Sequence, residues 1–279
     1  MLKNILAAAI LATFTFGTSQ CELPPEVNPQ INMSYDVKAV VAVLNCDYIS
    51  IPYMNNAIEI ASQYNALAEQ GKKDGYYPVI VVPSPVLTEL LGYIYMHDDV
   101  YDTPDEIAAS RREIISEAEG IDTKEFFTSR LDYDMVYGGG SGYDYLGSFV
   151  PAAPQNSLSL FMLDYGECDD VVIAKIPVEN PWEIAAWMPT GGFNACPSPA
   201  EQVAVFKYWY EQYGAVPAVV TYDTWQMTLT NPPATKESAE ALAMEQFAFC
   251  YDIVEQGTET VRALASSLIN SKAWYFWWD

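Results

Sequence analysis

Histidine is almost missing from this sequence: His97 is the only one in 279 residues. A Ser-His-Asp or Cys-His centre would have to be built on that one imidazole, and a zinc site with two or three histidines cannot be built at all. His97 sits in the polar run His97-Asp98-Asp99 and reads as an exposed loop residue. Positive charge is nearly as scarce. Thirteen Lys plus Arg stand against 37 Asp plus Glu, a formal net charge of -24. Such a surface repels a phosphate backbone rather than neutralising it, so nucleic acid is not an expected partner. The acid excess reads first as a solubilising coat and second as an attraction for a cationic ligand, a basic protein or calcium. The five cysteines contain no CxxC pair, which argues against a zinc knuckle. Beyond the amino-terminal segment, no apolar run is long enough to cross a bilayer.

That amino-terminal segment has a basic start at Lys3, an apolar run from Ile5 to Phe16, and a small polar stretch from Gly17 to Gln20. The pattern is that of a secretory signal peptide over residues 1–20. Pro24 and Pro25 follow at once, which disfavours a core helix there. Cys21 stands where a lipoprotein carries its lipidated cysteine, although Gln20 is a poor neighbour for that processing; cleavage after Ser19 is the rival. The expectation is export to the periplasm or cell surface, a tether over residues 21–34, and membrane contact only through a lipid anchor. In an oxidising compartment Cys46, Cys168, Cys196 and Cys250 allow three complete pairings. Cys46 lies in an apolar stretch and reads as a buried free thiol.

Residues 35–279 read as a single domain of the α/β (α+β) class, with a mixed, largely antiparallel sheet under amphipathic helices. Val37 to Leu44 is a continuous valine-rich run and suggests a strand covered on both faces. A helix is expected from about Asn55 to Gln70, then a strand from Tyr77 to Val82 and a helix opened by Ser84-Pro85. Thr103-Pro104-Asp105-Glu106 is a capping-box signature for a helix to about Ala118, and Ser198-Pro199-Ala200-Glu201 is another for a helix stopped by Gly214. Between them, residues 132–149 are rich in Gly, Tyr and Asp and read as a flexible loop; no lysine or following helix makes the glycines a phosphate cradle. Asp132 and Asp134 have calcium-loop spacing, but Val136 and Tyr137 stand where that loop needs an oxygen ligand and a glycine. Leu158–Leu163 and Val171–Val178 look like a hairpin, and Glu183 to Met188 like an extended segment. Strands are expected at Ala218–Tyr222 and Trp225–Leu229, a helix capped by Thr235, and a further helix after Gly257. Ala273 to Trp278 alternates aromatic residues on both faces, and side chains of about 150 to 250 Å² each make it a strand buried in the sheet rather than an exposed platform.

One set of motifs is specific. Pro181-Trp182-Glu183, Gly191-Gly192-Phe193-Asn194-Ala195-Cys196-Pro197, Lys207-Tyr208-Trp209-Tyr210, Asp223-Thr224, Glu245-Gln246-Phe247-Ala248-Phe249-Cys250, Gln256-Gly257-Thr258 and the closing Trp274-Tyr275-Phe276-Trp277-Trp278-Asp279 together resemble a bacterial family known as a domain of unknown function, DUF4253. The resemblance covers roughly residues 170–279, with the family-like part of the fold beginning near 157. Tyr251 stands where members often carry a proline. The resemblance implies a common fold and a common pocket, but brings no activity, cofactor or catalytic residue. It also implies that the two motif cysteines, Cys196 and Cys250, oxidise to each other in an exported member.

Within these motifs, Gly191 and Gly192 permit close backbone approaches, and Asn194 and Cys196 offer polar groups just before a helix start. Gln246, Cys250, Asp252 and Gln256 are candidates to face that loop. Glu183, Asp223, Glu245, Asp252 and Asp279 are the carboxylates available for acid-base work. No metal set or cofactor loop stands out, so neither is expected. The leading expectation is an exported, non-catalytic module that binds a protein or a small molecule near Asn194, Cys196 and Cys250. The alternative is a carboxylate-dependent hydrolase directed at glycans.

Overall fold

The computed structural model describes residues 33–52, 57–97, 100–131, 144–160, 170–191 and 194–279. Its centre is a sheet built from short runs rich in β-branched or aromatic residues: β1 Tyr48–Pro52, β2 Tyr77–Val81, β5 Asp170–Ile176, β6 Val216–Val220, β7 Thr224–Thr228 and β8 Ala273–Trp277. The strand order is β1-β5-β2-β6-β7-β8, and every adjacent pair is antiparallel except β2 with β6. The fold is thus mixed α/β with a largely antiparallel sheet. Strand alternation sorts its side chains between two cores. Ile80, Val171, Ile173, Ala218 and Val219 face Ile60, Tyr64 and Leu67 of helix α2 (Ala57–Asp74). Val79, Val81, Val172, Ala174 and Ile176 face the larger core, which holds side chains of α1 (Tyr35–Leu44), α3 (Pro85–Tyr95), α4 (Pro104–Ala118) and α5 (Thr123–Arg130). Side chains of α6 (Ile184–Trp187), α7 (Pro199–Tyr213), α8 (Lys236–Phe249) and α9 (Val261–Leu268) complete that core.

The run 37–44 is a helix, α1, and not a strand. Ser34 caps its start by accepting from the Val37 amide at 3.3 Å, and Asn45 closes it in the left-handed region at φ 47°. An all-apolar run has no readable period, and the caps at both ends decide the matter. Arg111 of α4, itself buried, donates to the Val43 carbonyl at 2.8 Å, and its guanidinium lies 3.8 Å from the centroid of the Trp187 ring. It thereby satisfies a carbonyl at the C-terminal end of α1. The strand of this region is β1, which follows the helix.

The expected hairpin of 158–163 with 171–178 does not form. Both edges of β5 are occupied, by β1 and by β2, so the sheet has no place beside it for residues 158–160; residues 161–169 lie outside the described set. Ser159 is instead held by the Gln226 side chain, whose oxygen accepts from the Ser159 amide at 2.7 Å and whose nitrogen donates to the Ser159 carbonyl at 3.3 Å. Residues 183–188 are not extended either: a 3-10 turn, Pro181–Glu183, runs into α6, because consecutive Ile184, Ala185 and Ala186 are all buried and cannot alternate. His97 pairs through β3 (Met96–His97) with β4 (Val100–Tyr101). The loop of 132–149 is described only from residue 144, and no regular element occupies 144–149.

Strand β8 closes one edge of the sheet against β7, pairing Trp274 with Met227 and Phe276 with Trp225. Trp274, Phe276 and Trp278 are buried, while Tyr275 and Trp277 on the opposite face are half-buried. Trp209 of α7 stacks on Phe276 with centroids 5.3 Å apart and meets Trp274 and Phe249 edge-on at 5.4 and 5.0 Å. No helix among the described residues is long and apolar enough to cross a membrane.

Candidate functional site

The turn between β6 and β7 is fixed by Asp223. Its Oδ1 accepts from the Thr221 hydroxyl at 2.7 Å and the Thr224 hydroxyl at 3.0 Å. Its Oδ2 accepts from the Trp277 indole at 3.2 Å, and its carbonyl accepts from the Trp278 amide at 3.0 Å. One buried carboxylate therefore ties this turn to the end of β8. Above it opens a cavity of about 540 Å³, within the size range of small-ligand sites. Tyr222, Trp277 and Trp278 give it aromatic walls, Val86 and Leu90 of α3 an aliphatic one, and Asn194, Asp223 and Asp279 its polar groups.

Asn194 reaches this cavity from the loop that precedes α7. The loop is clamped by Gln202, a fully buried side chain on α7. Its Nε2 donates to the carbonyls of Thr190 at 2.7 Å and Pro197 at 2.9 Å, and its Oε1 accepts from the Trp225 indole at 2.8 Å. Gly191 adopts φ +117°, and a Cβ there would stand 2.6 Å from the Pro197 carbonyl oxygen, so only glycine lets the chain pass so close. Arg130 adds a second clamp, donating to the Ala248 carbonyl at 2.7 Å and also to that of Ala195, and so joins this loop to the end of α8. Gly192 lies outside the described residues.

The remaining motif residues fall into other places. Cys250 donates to the Trp277 carbonyl at 3.0 Å, and Cys196 lies 3.8 Å from the Gln202 amide nitrogen. Both are free thiols, as is Cys46. Burial pushes the Cys250 thiol up to about 12 and Cys46 to about 11. Burial first, and the neighbouring Cys250 second, push Cys196 up as well. At neutral pH none of the three is a ready thiolate nucleophile. Gln246 and Asp252 line a second, smaller cavity of about 230 Å³, which shares Trp277 with the first. Asp252 accepts from the Gln256 amide at 2.9 Å and from the Asp279 backbone amide at 3.1 Å, an exposed lattice of bonds at the chain end. Glu245 is structural: it accepts from the Tyr208 hydroxyl at 2.8 Å and the Trp209 indole at 3.1 Å, and burial raises its carboxyl above the ordinary range. Glu183 stands apart from both cavities and accepts from the Asn180 side chain at 2.8 Å.

The fold thus gathers Asn194, Asp223 and Asp279 at one cavity and Gln246 and Asp252 at another, and leaves Glu183, Gly191, Cys196, Cys250 and Gln256 outside both linings. The sequence reading did not single out Gln202, Arg130 or Tyr222. Gln202 had a signal, a glutamine next to the buried apolar residues Val203, Val205 and Phe206 in the first half of its helix. Among the described residues, no three His, Cys, Asp or Glu side chains are grouped to hold a metal ion. No curated protein and no solved structure matches the chain. Residues 172–279, which carry every cavity-lining residue named above except Val86 and Leu90, match the family described as Domain of unknown function (DUF4253).

Proposed function

We propose that the chain is an exported, non-catalytic binding protein whose larger cavity takes a small ligand with a flat apolar body and a cationic head. The observation that carries this reading is the convergence of Asn194, Asp223 and Asp279 with Tyr222, Trp277 and Trp278 on one cavity of about 540 Å³. Aromatic faces provide apolar area and attract cations, and two carboxylates together with a net charge of -24 bias the site the same way. Both oxygens of Asp223 are already taken by Thr221, Thr224 and Trp277, which suits a fixed charge that recognises a ligand better than a free acid that shuttles protons.

The test is calorimetric titration with phenethylamine and, as its anionic counterpart, phenylpropionate. Saturable binding of the amine, with at least tenfold weaker binding in Asp279→Asn or Asn194→Ala, supports the reading. Equal affinity for the anion, or no binding of either, overturns it. Glycan hydrolysis is the second reading, favoured by the presence of Asp223 and Asp279 at the same cavity. It would replace the first if nitrophenyl glycosides were turned over and Asp223→Asn abolished the turnover. Export is tested by intact mass after expression with residues 1–20 in a secreting host; an unprocessed amino terminus overturns that part.

A further inference from the structure

The α3 wall of the larger cavity continues onto the outside of the protein. Val86 and Leu90 line the cavity, and Tyr93 follows them at helical spacing, i, i+4 and i+7, so the three share one face. At the rise of an α-helix this stripe is about 10 Å long. Leu90 is half-buried, but Val86 is 46% exposed and Tyr93 77%. Ile58 and Val150 are the only other exposed large apolar side chains among the described residues. Such residues need no explanation when scattered singly, whereas two on one helix face beside a cavity point to a contact surface. Charge indicates what covers it. The four stretches that supply the cavity lining, 75–110, 176–206, 208–235 and 273–279, hold no Lys or Arg. Glu89 stands beside the stripe and accepts from the Tyr93 hydroxyl at 3.5 Å. With a net charge of -24, a second copy of this chain is repelled and a basic partner is attracted.

We propose that the larger cavity and the α3 stripe together bind an extended segment of another protein, in which an arginine enters the cavity and apolar side chains at alternate positions beside it lie along Val86, Leu90 and Tyr93. This rests on the reading of the cavity as a cation site and names what carries the cation. A guanidinium is flat, stacks on aromatic faces and pairs with carboxylates, the groups that Tyr222, Trp277, Trp278 and Asp279 offer. In an extended chain, side chains two residues apart point the same way and lie about 7 Å apart, so two apolar residues beyond the arginine cover a stripe of about 10 Å. A free amine of few atoms leaves Tyr93 bare.

The experiment titrates the full chain calorimetrically with the capped pentapeptide Arg-Ser-Leu-Ser-Leu and with its reverse. Each is matched by one peptide with citrulline for arginine, which keeps the shape and drops the charge, and by one with serine for both leucines. Phenethylamine reads the cavity alone. One of the two arginine-leucine peptides should bind about tenfold tighter than its citrulline match and about tenfold tighter than its leucine-free match. In Tyr93→Ser, a change at an exposed position, the gain from the leucines should shrink several-fold. Binding of phenethylamine with no gain from the leucines overturns this proposal and leaves the cation site standing, whereas no binding of the amine or of any peptide overturns both. Equal binding of the citrulline peptide, or a leucine gain that Tyr93→Ser leaves intact, overturns it as well. A concentration-dependent dimer in sedimentation that Tyr93→Ser abolishes would assign the stripe to a second copy instead.

Discussion

Gln202→Leu tests the claim that one buried side chain positions the loop carrying Asn194. The substitution keeps the volume roughly constant, so the cost comes from polar groups rather than from a cavity. Three partners lose their bond: the carbonyls of Thr190 and Pro197 and the indole of Trp225. Thr190, Pro197 and Trp225 are all buried, so water cannot take over from the lost side chain. Each orphaned buried group costs about 1–3 kcal/mol, which gives about 3–9 kcal/mol in all, a large part of the roughly 5–15 kcal/mol that holds a domain together. The assay is urea unfolding. With a slope of about 3 kcal/mol per M, the upper end for small proteins, the midpoint should fall by roughly 1–3 M with the slope unchanged. Trp225→Phe removes the indole donor itself, and the double variant should be more stable than the sum of the two single effects by roughly 1 kcal/mol. A midpoint unmoved by Gln202→Leu, or strict additivity of the pair, would refute the clamp.

Other expectations follow from the same geometry. Burial raises the Glu245 carboxyl, so the folded chain binds a proton there at a pH where the unfolded chain does not, and stability gains as pH falls through the folded value toward the ordinary 4.5. The stability of the native sequence relative to Glu245→Gln should therefore rise between neutral pH and about 4.5, and a pH-independent difference refutes this. Iodoacetamide at neutral pH should leave Cys46, Cys196 and Cys250 unmodified in the folded protein and label them in urea under reducing conditions. Rapid native labelling of Cys250 would contradict its burial. If Cys196 and Cys250 are bridged in exported material, labelling in urea should require a reductant. Deleting residues 274–279 removes three buried aromatic side chains, Trp274, Phe276 and Trp278. At about 1.5–3 kcal/mol each this is about 5–9 kcal/mol, and cooperative unfolding should be lost; a retained sharp transition refutes the role given to β8.

What could be read from the sequence depended on whether the signal was local. The capping boxes at Thr103 and Ser198 form as spelled out, because a hydroxyl and a glutamate three residues apart need nothing from the rest of the chain. The aromatic tail was legible because so many large rings have few places to go. Val37–Leu44 was misread for the opposite reason: with nearly every position apolar, helix and strand leave the same trace, and the caps at Ser34 and Asn45 carried the information. The hairpin at 158–178 failed because strand pairing is decided by β1 and β2, both distant in sequence. The candidate site was legible in parts. Asn194 and Asp223 come together at the larger cavity, yet its aliphatic wall is supplied by α3, from outside the matched family segment, and no motif pointed there. Glu183 belonged to a motif for reasons of packing, beside Asn180 and the turn into α6.

Trp277 belongs to both chambers. Its indole is pinned by Asp223 on one side and its carbonyl receives the Cys250 thiol on the other, while the ring itself forms part of each wall. Two occupants that ask different postures of one ring compete through it without touching, and two that ask the same posture assist each other. Thermodynamic reciprocity makes the factor identical in both directions.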